Sequence, residues 1–253
     1  MSDRREVFQV TGRPQITVSF PSGRLSVRTG DVDTVEVMVT GRRSSEFEIG
    51  QVGSTVTVRI EGRGIASGSH HVDLIVPSST RLDMAGASVD VDVERIGELD
   101  VRLASGDIRA SQVDGDVSLK TASGDANIGK VTGRLSVASA SGDVTVGRAE
   151  GDCTLTTVSG DIDIQIASHD LITKSVSGDV KVVQFEGSRF SSKTMSGDVS
   201  VTVPRGRIID VDLLSRSGRC KVPEAGSPFE GERKHVDITC KSVSGDIKIG
   251  TYG

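Results

Sequence analysis

Residues 123–146 read SGDANIGKVTGRLSVASASGDVTV and contain two copies of a Ser-Gly-Asp triplet whose serines lie 18 residues apart. The triplet recurs from residue 105 to residue 246. It begins at Ser105, Ser123, Ser141, Ser159, Ser177, Ser196 and Ser244, with a decayed copy, Ser-Gly-Arg, at Ser217. The first four intervals are each 18 residues, and the later ones are 19, 21 and 27. A period of this length is typical of solenoid proteins, in which each repeat packs only against its neighbours.

The residues after each triplet alternate between apolar and polar side chains. In the repeat that begins at Ser141, the fourth to sixth positions are Val144, Thr145 and Val146. This period of two indicates a strand with one buried face and one solvated face. A second glycine follows most of the serines by ten residues, as at Gly115 and Gly133. Each repeat is therefore predicted to hold two short strands and two turns.

A pair of such strands cannot bury its own apolar face, so the repeats are expected to stack about 4.8 Å apart. Eighteen residues at about 3.3 Å each give a perimeter of about 60 Å, which suits one coil. A left-handed hexapeptide helix would need an aliphatic residue at every sixth position, and Lys120 and Thr156 break that rule. The sequence therefore predicts an all-β protein, a right-handed parallel β-solenoid (β-helix) with about 18 residues per coil.

The coils are expected to form one continuous structural domain with two regions. Residues 87–253 are predicted to be the regular solenoid, interrupted by an inserted loop at 223–235. Residues 1–86 show the alternation without a fixed period and are predicted to form a less regular N-terminal β cap.

Composition supports a thin interior and excludes several classes of function. The chain has 30 Gly, six Phe, one Tyr and no Trp, so Val, Ile, Leu and Ala must fill the core. A formal net charge of -5 argues against a nucleic-acid partner. No apolar segment is long enough for a membrane span, and the opening MSDRREVFQV lacks the apolar run of a signal peptide, which predicts a cytoplasmic location. Cys153, Cys220 and Cys240 are too few and too scattered for a disulfide framework or a zinc site.

The repeats TASGDANI, SASGDVTV, TVSGDIDI, SVSGDVKV and TMSGDVSV follow a segment that contains IVPSSTRLDM. Together they resemble a bacterial domain of unknown function known as the putative adhesins. The resemblance covers roughly residues 15–253. It implies a β-solenoid fold, a cell-envelope context and no established catalytic residues.

An aspartate stands at the third position of nearly every repeat and is the first candidate site. These residues are Asp107, Asp125, Asp143, Asp161, Asp179, Asp198 and Asp246. Stacked coils would align them in a row that could bind calcium. Calcium needs six to eight oxygens, however, and each turn supplies one carboxylate. We favour the alternative that each carboxylate accepts hydrogen bonds from backbone N–H groups of its own turn.

A second row, of hydroxyl groups, precedes the triplets at Thr121, Ser139, Thr157 and Ser175. A nucleophilic serine needs a base within hydrogen-bond reach, and no base recurs at the repeat spacing, so we expect these hydroxyls to bond to one another and to the turn. The four histidines, His70, His71, His169 and His235, are too dispersed to predict a metal site. The sequence thus predicts no catalytic residue and no cofactor.

Two features are candidate contacts for a partner. The insertion PEAGSPFEGERKH, residues 223–235, carries Phe229, Glu230 and Arg233 on a loop of a repetitive scaffold. The ends of a solenoid present unpaired strand edges, which favour pairing with another chain. We therefore predict a non-enzymatic structural or interaction protein that binds a protein partner or itself through its ends or this loop. The alternatives are a polysaccharide-binding or polysaccharide-active β-helix, disfavoured by the few aromatic residues, and a cytoplasmic filament-forming protein.

Overall fold

The computed structural model describes residues 4–30, 33–41, 44–60, 70–223 and 235–253. The chain divides into two compact units, residues 1–131 and residues 132–253. Among the described residues, strands dominate both units, and no helix is long and apolar enough to cross a membrane.

The first unit contains eleven of the described strands and one short 3-10 turn at Ser44–Glu46. The strands are β1 (Arg4–Gln9), β2 (Gln15–Thr29), β3 (Thr34–Thr40), β4 (Phe47–Val52), β5 (Thr55–Ile60), β6 (His70–Val76), β7 (Arg81–Ile96), β8 (Glu98–Ser105), β9 (Ile108–Val113), β10 (Val117–Ser123) and β11 (Ala126–Val131). The long strands β2 and β7 pair in parallel over both of their halves. The first half of β7 pairs with β8 and the second half with β9, and β10 and β11 continue these two stacks in parallel.

The beginning of this unit departs from parallel stacking. Strand β3 pairs antiparallel with both β1 and β6, and β4 pairs antiparallel with β5. Strands β5 and β6 then join the parallel stacks through β2. These antiparallel pairs make the beginning of this unit less regular than the parallel coils that follow it.

The second unit contains the other twelve described strands. They are β12 (Leu135–Ser141), β13 (Val144–Ala149), β14 (Cys153–Ser159), β15 (Ile162–Ala167), β16 (Leu171–Lys174), β17 (Val180–Phe185), β18 (Arg189–Lys193), β19 (Val199–Pro204), β20 (Ile208–Ser217), β21 (Cys220–Lys221), β22 (His235–Ser244) and β23 (Ile247–Tyr252). We call the strand before each Ser-Gly-Asp turn the leading strand and the strand after it the trailing strand. Leading strands pair in parallel only with leading strands, and trailing strands only with trailing strands, in the register of the sequence period.

The stacking order of the last coils in this unit differs from their order in the chain. Leading strand β22 lies between β18 and β20, and trailing strand β23 lies between β19 and β21. The coil that is last in sequence, β22–β23, is therefore next to last in the stack. Among the described residues, the coil β20–β21 forms the end of the stack, although it comes earlier in the chain.

The core follows the predicted alternation. In the trailing strands Val144, Val146, Ile162 and Ile164 are all at most 1% exposed. Full burial of a side chain of this size contributes about 1.5–3 kcal/mol. The prediction of an all-β parallel β-solenoid is confirmed.

The Ser-Gly-Asp turns require glycine for two reasons, which Gly160 illustrates. Its φ is +135°, which side chains resist, and a Cβ at this position would collide with the carbonyl oxygen of Gly142 in the neighbouring coil. The turns of successive coils therefore pack backbone against backbone.

Candidate functional site

The aspartate row of the second unit is a chain of hydrogen bonds between coils, which we call the aspartate ladder. The backbone N–H of Asp161 donates to Oδ1 of Asp143 at 2.8 Å, and the N–H of Asp179 donates to Oδ1 of Asp161 at 2.8 Å. Asp198 and Asp246 continue the series at 2.8 and 2.7 Å. Each carboxylate therefore binds the turn of the next coil. The expectation that it binds its own turn is wrong, because stacking brings the next turn's N–H to the carboxylate.

The first unit contains a looser version of the same pattern. The N–H of Asp107 donates to Oδ1 of Asp90, and the N–H of Asp125 donates to Oδ1 of Asp107, both at 3.2 Å. Arg109 also binds the second oxygen of Asp107 at 3.0 Å. These contacts give the aspartates a structural role in joining coils.

The ladder ends where the stack ends. The last carboxylate, Asp246, accepts a hydrogen bond at 2.8 Å from the N–H of Arg219, which stands in the turn of coil β20–β21. Arg219 occupies the position that aspartate holds in the other repeats. A carboxylate there would have no following coil to bind among the described residues. The decayed copy Ser-Gly-Arg is thus the sequence signal of the terminal coil, and sequence reasoning missed its meaning.

The described residues include no group of three or more His, Cys, Asp or Glu side chains arranged to hold a metal ion. In the ladder, one oxygen of each bonded carboxylate is committed to a backbone N–H. The histidines are separated by the fold. His70 is buried with its ring edge-on to Phe47 at 5.3 Å between centroids, whereas His235 lies 3.3 Å from Asp210 on the surface.

The hydroxyl row is buried beside the turns. Thr121 Oγ1 donates to the carbonyl of Ser123, and Ser139 Oγ donates to the carbonyl of Ser141, each at 3.1 Å. These two hydroxyls bond to the turn, as expected, whereas Thr157 Oγ1 and Ser175 Oγ are buried without a hydrogen-bond partner among the described residues.

Two of the three thiols are unreactive by environment. Burial raises the pKa of Cys153 to about 12, and burial likewise raises the pKa of Cys240 to about 12, so both remain protonated thiols at neutral pH. Cys220 is exposed, because it lies in the terminal coil. The loop candidates Phe229, Glu230 and Arg233 lie outside the described residues.

The terminal coil is the most distinctive surface of the second unit. We call β20 and β21 together the open edge, because in the described part of the chain β20 pairs only with β22 and β21 only with β23. Val211 stands opposite Ile238, which is 1% exposed, yet Val211 itself is 45% exposed. Directly after β21, Val222 is 50% exposed, although its repeat position is buried in the other coils. Side chains that would be core residues elsewhere are therefore accessible at the open edge.

Charge is divided along the open edge. Asp210 and Asp212 lie in the first half of β20, and Arg216 lies in the second half. Between them Leu214 is 55% exposed. Within the chain, Lys241 approaches Asp212 at 3.6 Å on the outer face. Two aspartates, an exposed leucine and an arginine thus follow one another on one strand.

A second apolar surface runs along the side of this unit. It comprises the exposed residues Val158, Val176, Met195 and Val243, which precede successive triplets, and we call it the apolar ridge. Its members lie in adjacent coils, because the serine after each pairs with the serine after the next. The sequence signal was the change from alanine to larger residues before the serine, from Ala140 to Val158, which the alternation of the strands does not reveal.

Comparison with known proteins places this architecture in a family. Among solved structures, a putative adhesin from Parabacteroides distasonis aligns with a TM-score of 0.57 at 16% identity, covering 98% of this chain and 97% of the other. A putative adhesin from Bacteroides fragilis aligns with a TM-score of 0.51 at 12% identity, with coverages of 98% and 97%. At these identities the likeness shows a shared fold.

No curated protein matches the sequence. A family model does match, over residues 14–250, which is nearly the whole chain and includes every Ser-Gly-Asp repeat. The protein therefore belongs to the family described as Toastrack DUF4097.

Proposed function

We propose that this protein is a non-enzymatic β-solenoid scaffold that binds another polypeptide by strand addition at the open edge. The observation that carries the proposal is the exposure of core-type side chains on a strand paired on one side only among the described residues. The similar folds described as adhesins agree with a role in binding.

Strand addition would satisfy two requirements of this edge together. In a strand paired on one side, about half of the backbone N–H and C=O groups point away from the sheet, and an added strand hydrogen-bonds to them. Burying the remaining surface of Val211 and Leu214 would add hydrophobic stabilisation of about 1 kcal/mol for each residue, since each is about half exposed and full burial contributes about 1.5–3 kcal/mol. Main-chain bonds would supply affinity, and the alternating side chains would supply specificity.

The distribution of aromatic residues favours a polypeptide partner over a polysaccharide. Sugar-binding surfaces usually present aromatic rings for stacking. Here Phe20, Phe47, Phe185 and Phe190 are all buried in the core. Thr121 and Ser139 of the hydroxyl row and the aspartates of the ladder likewise have structural hydrogen-bond partners, which supports a non-enzymatic role.

Selection of random ten-residue peptides displayed on phage tests the proposal. The immobilised wild-type protein should enrich peptides that alternate apolar and polar residues. A variant carrying Val211→Lys and Leu214→Lys should lose that enrichment, because both substitutions place charge on the open edge.

Val176→Lys is the matched control, since it places the same charge on an exposed valine of the apolar ridge. It should enrich the same peptides as the wild type. Equal enrichment by all three proteins, or no enrichment by the wild type, would contradict strand addition at the open edge.

A further inference from the structure

The sequence of β20 is complementary to itself when two copies run antiparallel. Side chains alternate along a strand, so Asp212, Leu214 and Arg216 lie on one face. If two β20 strands pair antiparallel with Leu214 opposite Leu214, then residue 212 of each copy stands opposite residue 216 of the other. This register places Asp212 opposite Arg216 twice and covers the exposed leucine with its own symmetry mate.

From this self-complementarity we infer that the open edge is occupied by a second copy of this chain, paired antiparallel through β20 about a twofold axis. The inference rests on the proposed function, because it names the partner of the same edge. In this arrangement the inward-facing Val211 and Leu213 of each copy extend the interior of the other. These inward-facing side chains and the outward-facing Leu214 are then all covered by the second copy.

Twofold symmetry also decides what kind of assembly forms. An isologous contact uses the same surface on both copies and closes on itself, whereas a filament requires two different surfaces that fit each other. Pairing β20 with β20 uses the open edge of both copies at once. The assembly is therefore a closed dimer, in preference to the filament considered from the sequence.

Alternative registers fit less well. A shift that places Leu213 opposite Leu213 would set Asp212 against Leu214 of the second copy, which leaves a charge facing an apolar side chain. Parallel pairing in register would set Asp212 against Asp212, and like charges directly opposite each other are destabilising. The Leu214-centred antiparallel register avoids both conflicts.

Sedimentation velocity over a range of concentrations, with two charge-reversal variants, tests this arrangement. The wild type should form a dimer. Asp212→Arg would place Arg opposite Arg in the homodimer, and Arg216→Asp would place Asp opposite Asp. The dissociation constant of each variant's homodimer should therefore be at least about tenfold higher than that of the wild type, because two repulsive pairs replace two attractive ones.

An equimolar mixture of the two variants should recover the dimer. In the heterodimer, the arginine introduced at position 212 of one chain faces the aspartate introduced at position 216 of the other. The unchanged Arg216 of the first chain faces the unchanged Asp212 of the second, so both pairs are attractive. If a substitution weakened the dimer by disrupting the fold, mixing the two variants would not recover it. Circular dichroism of each variant confirms that it is folded.

A disulfide reports the register independently. Leu214→Cys in a Cys220→Ser background should form a covalent dimer under mild oxidation, since residue 214 faces its own mate. Asp210→Cys in the same background is the control and should cross-link poorly, because residue 210 lies four positions from the axis.

The outcomes separate this inference from the proposed function. A wild-type monomer at all concentrations, higher oligomers, or failure of the mixture to recover a dimer would overturn the twofold arrangement. If the monomer still selects peptides through Val211 and Leu214, strand addition stands and the partner is another polypeptide. If a dimer forms that none of the β20 substitutions weakens, the twofold arrangement falls, and peptide selection alone decides strand addition.

Discussion

Two substitutions of Asp179 should separate the contributions of the aspartate ladder. Oδ1 of Asp179 accepts a hydrogen bond from the N–H of Asp198 at 2.8 Å. Asp179→Asn removes the negative charge and keeps a side-chain oxygen that can accept this bond. Asp179→Ala removes both the charge and the acceptor. The difference between the two variants therefore measures the hydrogen bond, and the difference between asparagine and the wild type measures repulsion within the ladder.

The magnitudes follow from the geometry. A hydrogen bond at an exposed turn contributes about 1 kcal/mol, so the alanine variant should be less stable than the asparagine variant by about that amount. Neighbouring coils are about 4.8 Å apart, and like charges at that distance repel by about 0.9 kcal/mol in a water-like dielectric. Removing the charge should therefore make the asparagine variant as stable as the wild type or more stable at low salt.

Urea unfolding at about 0.01 M and about 1 M salt is the appropriate assay, because the screening length falls from about 30 Å to about 3 Å across this range. The gap between alanine and asparagine should persist at both salt concentrations, and the advantage of asparagine over the wild type should shrink at high salt. Equal stability of the alanine and asparagine variants at both concentrations would refute the idea that the ladder bonds stabilise the stack.

Three further outcomes are expected. Gly160→Ala should lower the free energy of unfolding in urea by about 2 kcal/mol or more, because its positive φ and its contact with a neighbouring carbonyl both oppose a Cβ. Gly50→Ala is the control and should change stability little, since a Cβ there meets nothing within 4 Å. Similar losses at the two sites would contradict this explanation of the turn. A thiol reagent at neutral pH should modify Cys220 rapidly in dilute native protein. It should modify Cys153 and Cys240 only on unfolding, since burial raises the pKa of both thiols to about 12. Rapid reaction of all three cysteines would contradict the burial of Cys153 and Cys240. Thermal unfolding in excess calcium and in chelator should give the same midpoint temperature, because each turn supplies a single carboxylate whose oxygen already accepts a backbone hydrogen bond. A higher midpoint with calcium would support the calcium hypothesis.

The repeat period was enough to predict the stacked parallel strands and their buried faces. A shift of one residue would move every apolar side chain to solvent, so alternation around positions such as Val144 and Val146 fixes both the face and the register. The antiparallel pairing of β1, β3 and β6 could not be predicted, because the first residues lack a period and alternation alone is the same for parallel and antiparallel neighbours.

The stacking order of the last coils also could not be predicted from the pattern of apolar residues. Interior positions in β20 and β22 carry similar side chains, so either strand fits next to β18. The aspartates distinguish the two coils, since Asp246 needs a following N–H and Arg219 offers one without offering a carboxylate. The stacking order can be inferred from the sequence only if each carboxylate is known to bind the next coil, and the structure shows that it does.

Backbone hydrogen exchange of the wild type at low and high protein concentration tests association through the open edge, because it reports which strand the partner covers. Pairing through β20 predicts that protection rises with concentration in residues 208–217, while strands within the stack such as β15 keep the same exchange rates. Leu214→Lys should abolish that rise. Exchange in β20 that is independent of concentration, or new protection confined to the apolar ridge, would contradict association through the open edge.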